Sequence, residues 1–335
     1  MPTRPLPRAD RDRKVPEYPD LTVYAEALEA QFVGHVLTGV RLASPFILRT
    51  HEPPLASVFG QPLRGVGRLG KRLVLRFDSE RYLVLHLMIA GRLRAKPAGA
   101  PIPGKVGLLA FDFPHQSLIL TEASPKKRAS LHVIHGQEAL LALDPGGLEP
   151  FAISVAEFAA QLRAENHTLK RSLTDPHLFA AIGNAYSDEI LHRARLSPVL
   201  MTSRIDDAQI ARLYEAMHAV LRDWTERLRA EAAGRFPDKV TAFHDGMAVH
   251  GRYGKLCPVC GERVQRIRRS ANEANYCPHC QTDGKLLADR SLSRLLHDDW
   301  PASAEELEEQ KRVRRENHLS NQTVEKVTPK RTRRR

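Results

Sequence analysis

The four cysteines of this 335-residue chain, Cys257, Cys260, Cys277 and Cys280, follow the order C-x2-C-x16-C-x2-C, and nothing else in the sequence restricts local folding as tightly. Such a set admits two disulfides or one metal site. The first 15 residues, MPTRPLPRADRDRKV, contain no apolar h-region, and no window of about 18 apolar residues is free of charge. A long chain without an export signal is expected in the cytoplasm, where thiols stay reduced and this spacing points to metal. Each C-x2-C pair can sit on a tight turn that aims two thiolates at one ion. Four sulfurs then close a tetrahedron, so one structural Zn2+ with no open position for water is expected. Alternation across Glu262–Arg268 predicts a β-hairpin with a basic face, and Arg263, Arg266, Arg268 and Arg269 all lie between the pairs. His250-Gly251-Arg252-Tyr253-Gly254-Lys255 leads into this ribbon, and a small ribbon carrying cations suits phosphate contact.

Upstream, the hydrophobic pattern changes twice. Pro19–Phe32 predicts a helix with Leu21, Tyr24, Ala25 and Leu28 on one stripe and Gly34 past its end. Short alternating or apolar segments then predict strands at Val40–Ile47, Gly65–Leu69, Arg72–Phe77, Tyr82–Leu87, Gly91–Ala95, Gly107–Phe113 and Ser117–Thr121. Close spacing of strands argues for a β-sandwich or barrel-like sheet rather than a parallel α/β fold. From Asp144-Pro145-Gly146-Gly147 to about Ala233 helical periodicity takes over, with helices expected at Val155–Glu165, Thr168–Ser172, Asn184–Ala194 and Asp206–Glu231. The chain is therefore expected to be a multidomain α+β protein. Its parts are a basic extension (1–15), a β-sandwich domain (16–143), a helical domain (144–248), the ribbon (249–282) and a C-terminal extension with a basic, disordered tail (283–335).

The formal net charge of +12 favours a polyanionic partner, but where it sits matters more than its sum. Residues 1–15 carry +3 and residues 311–335 carry +8, which leaves residues 16–310 at only +1. The ribbon, 249–282, holds +4 and makes the pointer toward nucleic acid a local one.

Five stretches occur in order: Pro16-Glu17-Tyr18-Pro19-Asp20-Leu21; Gly70-Lys71-Arg72-Leu73; His86-Leu87-Met88-Ile89-Ala90-Gly91-Arg92-Leu93; Ile182-Gly183-Asn184-Ala185-Tyr186-Ser187-Asp188-Glu189-Ile190-Leu191; and the ribbon with its Gly251-Arg252 lead-in. Together they make the chain from about Val15 to Gln281 resemble the formamidopyrimidine-DNA glycosylase and endonuclease VIII family. The resemblance implies a two-layered β-sandwich with flanking helices, a helix-two-turns-helix DNA-binding domain and a C-terminal zinc ribbon. It further implies a base-excision repair DNA glycosylase with AP lyase activity, acting on duplex DNA with oxidised or abasic lesions. A monomer on the bacterial nucleoid, away from membranes, is expected.

The resemblance also assigns roles. A proline secondary amine, at Pro16, attacks the sugar carbon bearing the damaged base, and the iminium formed is an electron sink for strand cleavage. Glu17 assists ring opening and proton transfer, unless it is an ordinary exposed carboxylate. Lys71 serves elimination and binds phosphate, or is plain surface charge. Asn184, with Tyr186 close by, starts a helix where its side chain and free N–H groups hold a phosphate, cap the helix, or both. Lys170 is a second clamp. Ile89 keeps an apolar wedge for the gap left by a flipped base, while Lys127 or Arg128, in the segment Ser124–Leu131, stacks or pairs opposite the orphaned base. Arg252, Arg268 and Arg269 contact the DNA backbone.

Two departures qualify these roles. Pro16 is internal, and a peptide nitrogen has no free lone pair for attack; Pro2 is followed by Thr3 and lacks a neighbouring carboxylate. Val15 occupies the position of the family's initiator Met, so translation from a valine codon there is expected. Asn272 stands where the family has a DNA-contacting arginine, so Arg268 and Arg269 are expected to take over its phosphate contact, and β-elimination is expected in preference to β,δ-elimination. The loop that covers the lesion is placed within Gly234–Met247, with Lys239 as a candidate contact, and the choice between oxidised purines and pyrimidines stays open. A second reading is a non-catalytic binder of damaged DNA, disabled at Pro16. A third, a ribbon-bearing transcription or ribosome-associated factor, leaves Pro16-Glu17, Lys71 and the Gly183–Tyr186 segment unexplained.

Overall fold

A computed structural model describes residues 15–237, 244–269, 272–287 and scattered positions between 301 and 313. Helix α1 (Tyr18–Phe32) opens on Pro19 in its first turn, where a missing N–H costs nothing, and buries Leu21, Tyr24, Leu28 and Phe32. Strand β1 (Gly39–Leu42) is shorter than the expected Val40–Ile47, because Pro45 brings no ladder N–H and starts a single 3-10 turn, Pro45–Ile47. There follow β2 (Gly65–Leu69), β3 (Arg72–Arg76), β4 (Arg81–His86), β5 (Gly91–Pro97), β6 (Gly107–Asp112) and β7 (Gln116–Glu122). Strand β8 (Ser130–His135) has no counterpart among the expected strands, since Ser130 and Leu131 fall in the segment read as a wedge loop. Its alternating burial, with Leu131 and Val133 inside, is what the sequence offers for it.

Two four-stranded antiparallel sheets result, ordered β1-β6-β7-β5 and β2-β3-β4-β8. Leu73, Leu75, Leu83 and Leu85 from one sheet meet Leu93, Leu109, Phe111, Leu118 and Leu120 from the other, and α1 packs into the same core. This is the expected sandwich. The run Leu73-Val74-Leu75 is buried on both faces because Val74, Tyr82, Val84 and Ile134 form an outer cluster with Leu140 of the short helix α2 (Gln137–Leu141).

The helical part is built from α3 (Val155–Arg163), α4 (Leu169–Thr174), α5 (Asn184–Ala194) and α6 (Asp207–Ala232). Helix α3 starts on a reciprocal cap: Ser154 N–H donates to Glu157 at 2.8 Å and Glu157 N–H to Ser154 Oγ at 3.3 Å. The apolar stripe of α6, Ile210, Leu213, Met217, Val220 and Leu221, is buried in one core with Phe158, Leu191 and Tyr186. Arg229 joins this unit to α1 by a two-pronged bond to Glu26, at 2.6 and 2.8 Å. Arg68, in the hairpin that carries Lys71, lies over the Tyr18 ring at 4.4 Å and pairs with Glu149. The ribbon hairpin is β9 (Gln265–Arg269) and β10 (Asn272–Tyr276), antiparallel, followed by the short helix α7 (Pro278–Thr282). Among the described residues no helix is long and apolar enough to cross a membrane.

Candidate active site and metal centre

Pro16 is buried two residues ahead of α1, and Glu17 is the N-cap of that helix. The Glu17 N–H donates to Asp20 at 2.9 Å, which fixes the start of α1. Its carboxylate crosses to the N-terminus of α5 and accepts N–H groups of Gly183 (2.8 Å), Ala185 (2.9 Å) and Tyr186 (3.0 Å). An anion here meets orphan donors and the positive end of the helix dipole together. A Cβ at 183 would lie 2.4 Å from the Glu17 carboxyl carbon, so any side chain there would displace this carboxylate. At 3% exposure Glu17 is not an ordinary surface carboxylate.

The surroundings of Glu17 correct the expectations for Asn184, Tyr186 and Lys170. Gly183, not Asn184, occupies the cap position of α5. Three N–H groups expected to be free for phosphate are taken by Glu17, which leaves the half-buried Asn184 side chain as the group available at this helix start. Tyr186 is fully buried, its ring 6.1 Å from that of Trp224 and its hydroxyl without a partner, so it packs the core instead of facing a ligand. Lys170 is a framework cation rather than a free clamp. Its Nζ donates to Asn184 O (2.6 Å), Ser187 Oγ (2.8 Å) and Asp188 Oδ1 (2.5 Å), which uses all three of its protons.

Lys71 sits half-buried at the β2–β3 turn, after Gly70 at φ +54°. Burial pushes its ammonium below the usual lysine range; the Glu17 charge opposes this and the Lys170 charge adds to it. Glu17, Lys71 and Lys170 thus share one electrostatic environment. Next to them, burial, reinforced by Arg72, Lys71 and His132, pushes His86 down to about 4 and keeps its ring neutral at pH 7. His86 Nδ1 accepts the N–H of Met88 at 3.0 Å and so braces a turn in which Met88 takes φ +52° and Ile89 lies half-buried. A second turn lies alongside, joined by Ala123 N–H to Ala90 O at 3.4 Å. Fully buried Glu122 organises it by accepting N–H groups of Arg128 (2.9 Å) and Ala129 (3.0 Å), while Lys127 Nζ closes onto the Glu122 carbonyl. Ile89, Lys127 and Arg128 therefore sit on two adjacent turns, the latter two exposed.

On the ribbon, Cys260 and Cys277 sulfurs lie 3.4 Å apart and Cys257 and Cys280 sulfurs 4.0 Å apart. A tetrahedron with Zn–S bonds of about 2.3 Å has edges of about 3.8 Å. The four cysteines fit one structural zinc ion, whose role is to hold the two knuckles together. Helix α5 carries the ribbon. Glu189 accepts N–H groups of Ala248 (2.7 Å), Val249 (2.9 Å) and His250 (2.9 Å). Asp188 Oδ2 contacts His250 Nδ1 at 2.7 Å and accepts Asn275 Nδ2 at 3.1 Å. Burial works against the Asp188 charge, but Lys170 and His250 outweigh it and hold the carboxyl below its ordinary range. Arg252 donates to Leu256 O at 3.0 Å, and its Nε is buried without a partner. Arg266 covers the Tyr253 ring at 4.3 Å, and exposed Arg268 lies 3.9 Å from Glu273. The side chain of Arg269 and the whole of Lys239 lie outside the described residues. Residue-by-residue sequence reasoning passes over His86, Glu122, Asp188, Glu189, His192 and His250. Asp188 and Glu189 stand inside a quoted motif, and two adjacent acids in mid-helix are the available signal.

Three family models match consecutive parts of the chain: the formamidopyrimidine-DNA glycosylase N-terminal domain over residues 15–128, the H2TH domain of the same enzyme over 141–231, and the zinc finger found in FPG and IleRS over 254–282. An uncharacterized formamidopyrimidine-DNA glycosylase-like protein of Mycobacterium tuberculosis is 41% identical over 154 residues, which is 96% of that protein and 45% of this chain. The formamidopyrimidine-DNA glycosylase of Pelotomaculum thermopropionicum is 28% identical over 275 residues, 99% of its length and 80% of this chain. Among solved structures, Lactococcus lactis Fpg in complex with DNA containing FAPY-dG superposes with a TM-score of 0.71 at 25% identity, over 79% of this chain and all of that one.

Proposed function

Because the chain belongs to the formamidopyrimidine-DNA glycosylase family, whose N-terminal, H2TH and zinc-finger domains it carries in order, we propose that it is a base-excision repair DNA glycosylase that also cleaves the strand as an AP lyase. The observation that carries this reading is the Glu17 carboxylate, fixed on three N–H groups of α5 next to the depressed Lys71 ammonium. A carboxylate beside an amine of lowered pKa is what acid–base chemistry on a sugar needs. In the proposed sequence the Pro16 nitrogen attacks C1′ of the lesion nucleotide and the oxidised base departs with a proton. Ring opening, assisted by Glu17, leaves an iminium between Pro16 and C1′. Loss of a C2′ proton to the neutral amine form of Lys71, which burial makes more accessible, pushes the 3′-phosphate out by β-elimination, and water finally frees Pro16 by hydrolysing the iminium. Ile89 fills the gap left by the flipped nucleotide, Lys127 or Arg128 faces the orphaned base, and Asn184, Arg252, Arg268 and Arg269 contact the phosphates.

This route requires a free Pro16 amine, and in the full chain that nitrogen is acylated by Val15. A non-catalytic binder of damaged DNA is the reading this single fact favours. Borohydride trapping separates the two. A protein starting at Pro16 should form a covalent adduct with duplex bearing an oxidised or abasic lesion, and the 335-residue chain should not. Absence of an adduct from both forms, on oxidised purine, oxidised pyrimidine and abasic substrates alike, would leave the binder. A nicked product ending mainly in 3′-phosphate would overturn β-elimination as the endpoint.

A further inference from the structure

We propose that His192 is a fifth member of the zinc site: its Nε2–H donates to the Cys257 thiolate and pins helix α5 directly to the metal centre. His192 lies in the last turn of α5, outside the ribbon, at 6% exposure. Its Nε2 is 3.3 Å from Cys257 Sγ, a short approach for an atom as large as sulfur. A zinc-bound sulfur carries no proton, so in this contact the proton must belong to Nε2.

The contact answers an electrostatic need. Four thiolates around Zn2+ leave a net charge of −2, and such a charge out of water needs hydrogen-bond donors. Cys277 Sγ has the backbone N–H of Cys280 at 3.5 Å, and Cys260 is exposed to solvent. Cys257 is 2% exposed, and the His192 ring reaches its sulfur. The donor atoms of His192, Cys257, Cys277 and Cys280 all lie within 4.8 Å of one another, so direct ligation by His192 in place of Cys260 is the rival arrangement. The 3.4 Å contact between Cys260 and Cys277 sulfurs keeps Cys260 at the tetrahedron and puts His192 outside it.

The position of the pin gives it a further consequence. Helix α5 has 11 residues, about 16 Å at about 1.5 Å each, with Glu17 bound at its first turn and His192 at its last. The zinc centre and the candidate catalytic carboxylate are thus attached to opposite ends of one rod. This inference needs only the zinc ribbon and stands whether or not the lyase chemistry does.

The test uses the zinc-loaded full chain in competition with a chromogenic chelator, comparing wild type, His192→Phe and His192→Gln at equal helix content by circular dichroism. Phenylalanine fills the space without an N–H, and glutamine places an amide N–H near the Nε2 position. Zinc affinity is expected to fall about 10- to 100-fold in His192→Phe, the range for lost outer-shell partners, and to recover largely in His192→Gln. The cobalt-substituted proteins should show the same four-thiolate absorption in wild type and His192→Phe. If His192→Phe does not fold, the wild type alone decides: with 113Cd in the site, a scalar coupling from the metal to the His192 Hε2 proton is expected across the thiolate. Unchanged zinc affinity in a folded His192→Phe, no coupling, or a wild-type cobalt spectrum of three sulfurs and one nitrogen overturns the proposal.

Discussion

The start and the middle of helix α5 hold carboxylates in opposite ways. At the N-terminus Glu17 is bound by main-chain N–H groups alone, which no side-chain rotation can withdraw. Such donors cost no reorganisation when the charge they face changes, which suits a carboxylate that takes part in proton transfer. One turn on, Asp188 is held by the side chains of Lys170, His250 and Asn275, and each comes from a different segment. That arrangement joins parts of the chain: α4, the ribbon lead-in and β10 all meet on one buried carboxylate. The N-terminal part thus meets α5 through a carboxylate on main-chain donors, the group proposed to react, and the ribbon meets it through side chains that join separate segments.

Removing zinc should break the holding end and spare the reacting end. Structural zinc contributes about 10–16 kcal/mol to the folding of small ribbons. Chelation is therefore expected to unfold residues 249–282 and abolish tight binding of lesion duplex, followed by fluorescence anisotropy, while calorimetry still records melting of the sandwich. Retained duplex affinity in metal-free protein would show that the ribbon is dispensable for DNA.

A smaller blow to the same end is Lys170→Met, which strands the buried Asp188 charge and should cost about 3–5 kcal/mol in urea denaturation at pH 7. Asp188 titrates below its ordinary value in the folded state, so its stabilising contribution is present above the ordinary carboxylate range and is lost as pH falls through the depressed value. The penalty of the substitution should therefore shrink in acid. A constant penalty down to pH 3 would mean that Lys170 acts by packing alone.

At the reacting end, Glu17→Gln keeps the shape and removes the charge. In a protein starting at Pro16, single-turnover base excision is expected to slow by about 10²- to 10⁴-fold, the span for a lost acid–base group, with duplex affinity changed little. A parallel loss of affinity would assign Glu17 to holding, and the contrast between the ends would collapse.

How far each end was legible follows from what kind of donor it uses. Strands such as Gly65–Leu69 and the helix Asn184–Ala194 have the expected limits because Gly, Pro and a clean change of period mark them. Strand β8 was hidden by position, since a six-residue strand directly after a Ser-Pro-Lys-Lys-Arg turn reads as more loop. The role proposed for Glu17 comes from the motif resemblance. Its partners do not, because main-chain donors leave no trace in side-chain identity. Lys170 and Tyr186 look like ligand contacts in the sequence because a lysine and a tyrosine beside a phosphate-type helix start are good candidates, but burial turns both inward. The His192–Cys257 and His250–Asp188 contacts span 65 and 62 residues, and no local pattern announces them.

Lys71 gives the finest test, because it belongs to the reacting end yet taxes the fold. Burial lowers its pKa in the native protein, so the unfolded chain binds the extra proton in the window between the depressed value and the ordinary lysine value near 10.5. In that window stability rises with pH: the full contribution is present above the ordinary value and is lost as pH falls through the depressed one. At pH 7 burial of this side chain thus carries a cost, on the order of 1 kcal/mol for each unit of displacement. Lys71→Met should raise the melting temperature at pH 7 by a few degrees, and the gain should vanish as the pH is taken above 10.5. The same variant should lose strand cleavage at abasic sites while still forming the borohydride-trapped adduct, since Lys71 is assigned to the C2′ proton and not to the attack on C1′. A variant that gains stability and keeps its cleavage rate would remove Lys71 from the chemistry and leave Glu17 as the sole proton-handling group at that end of the helix.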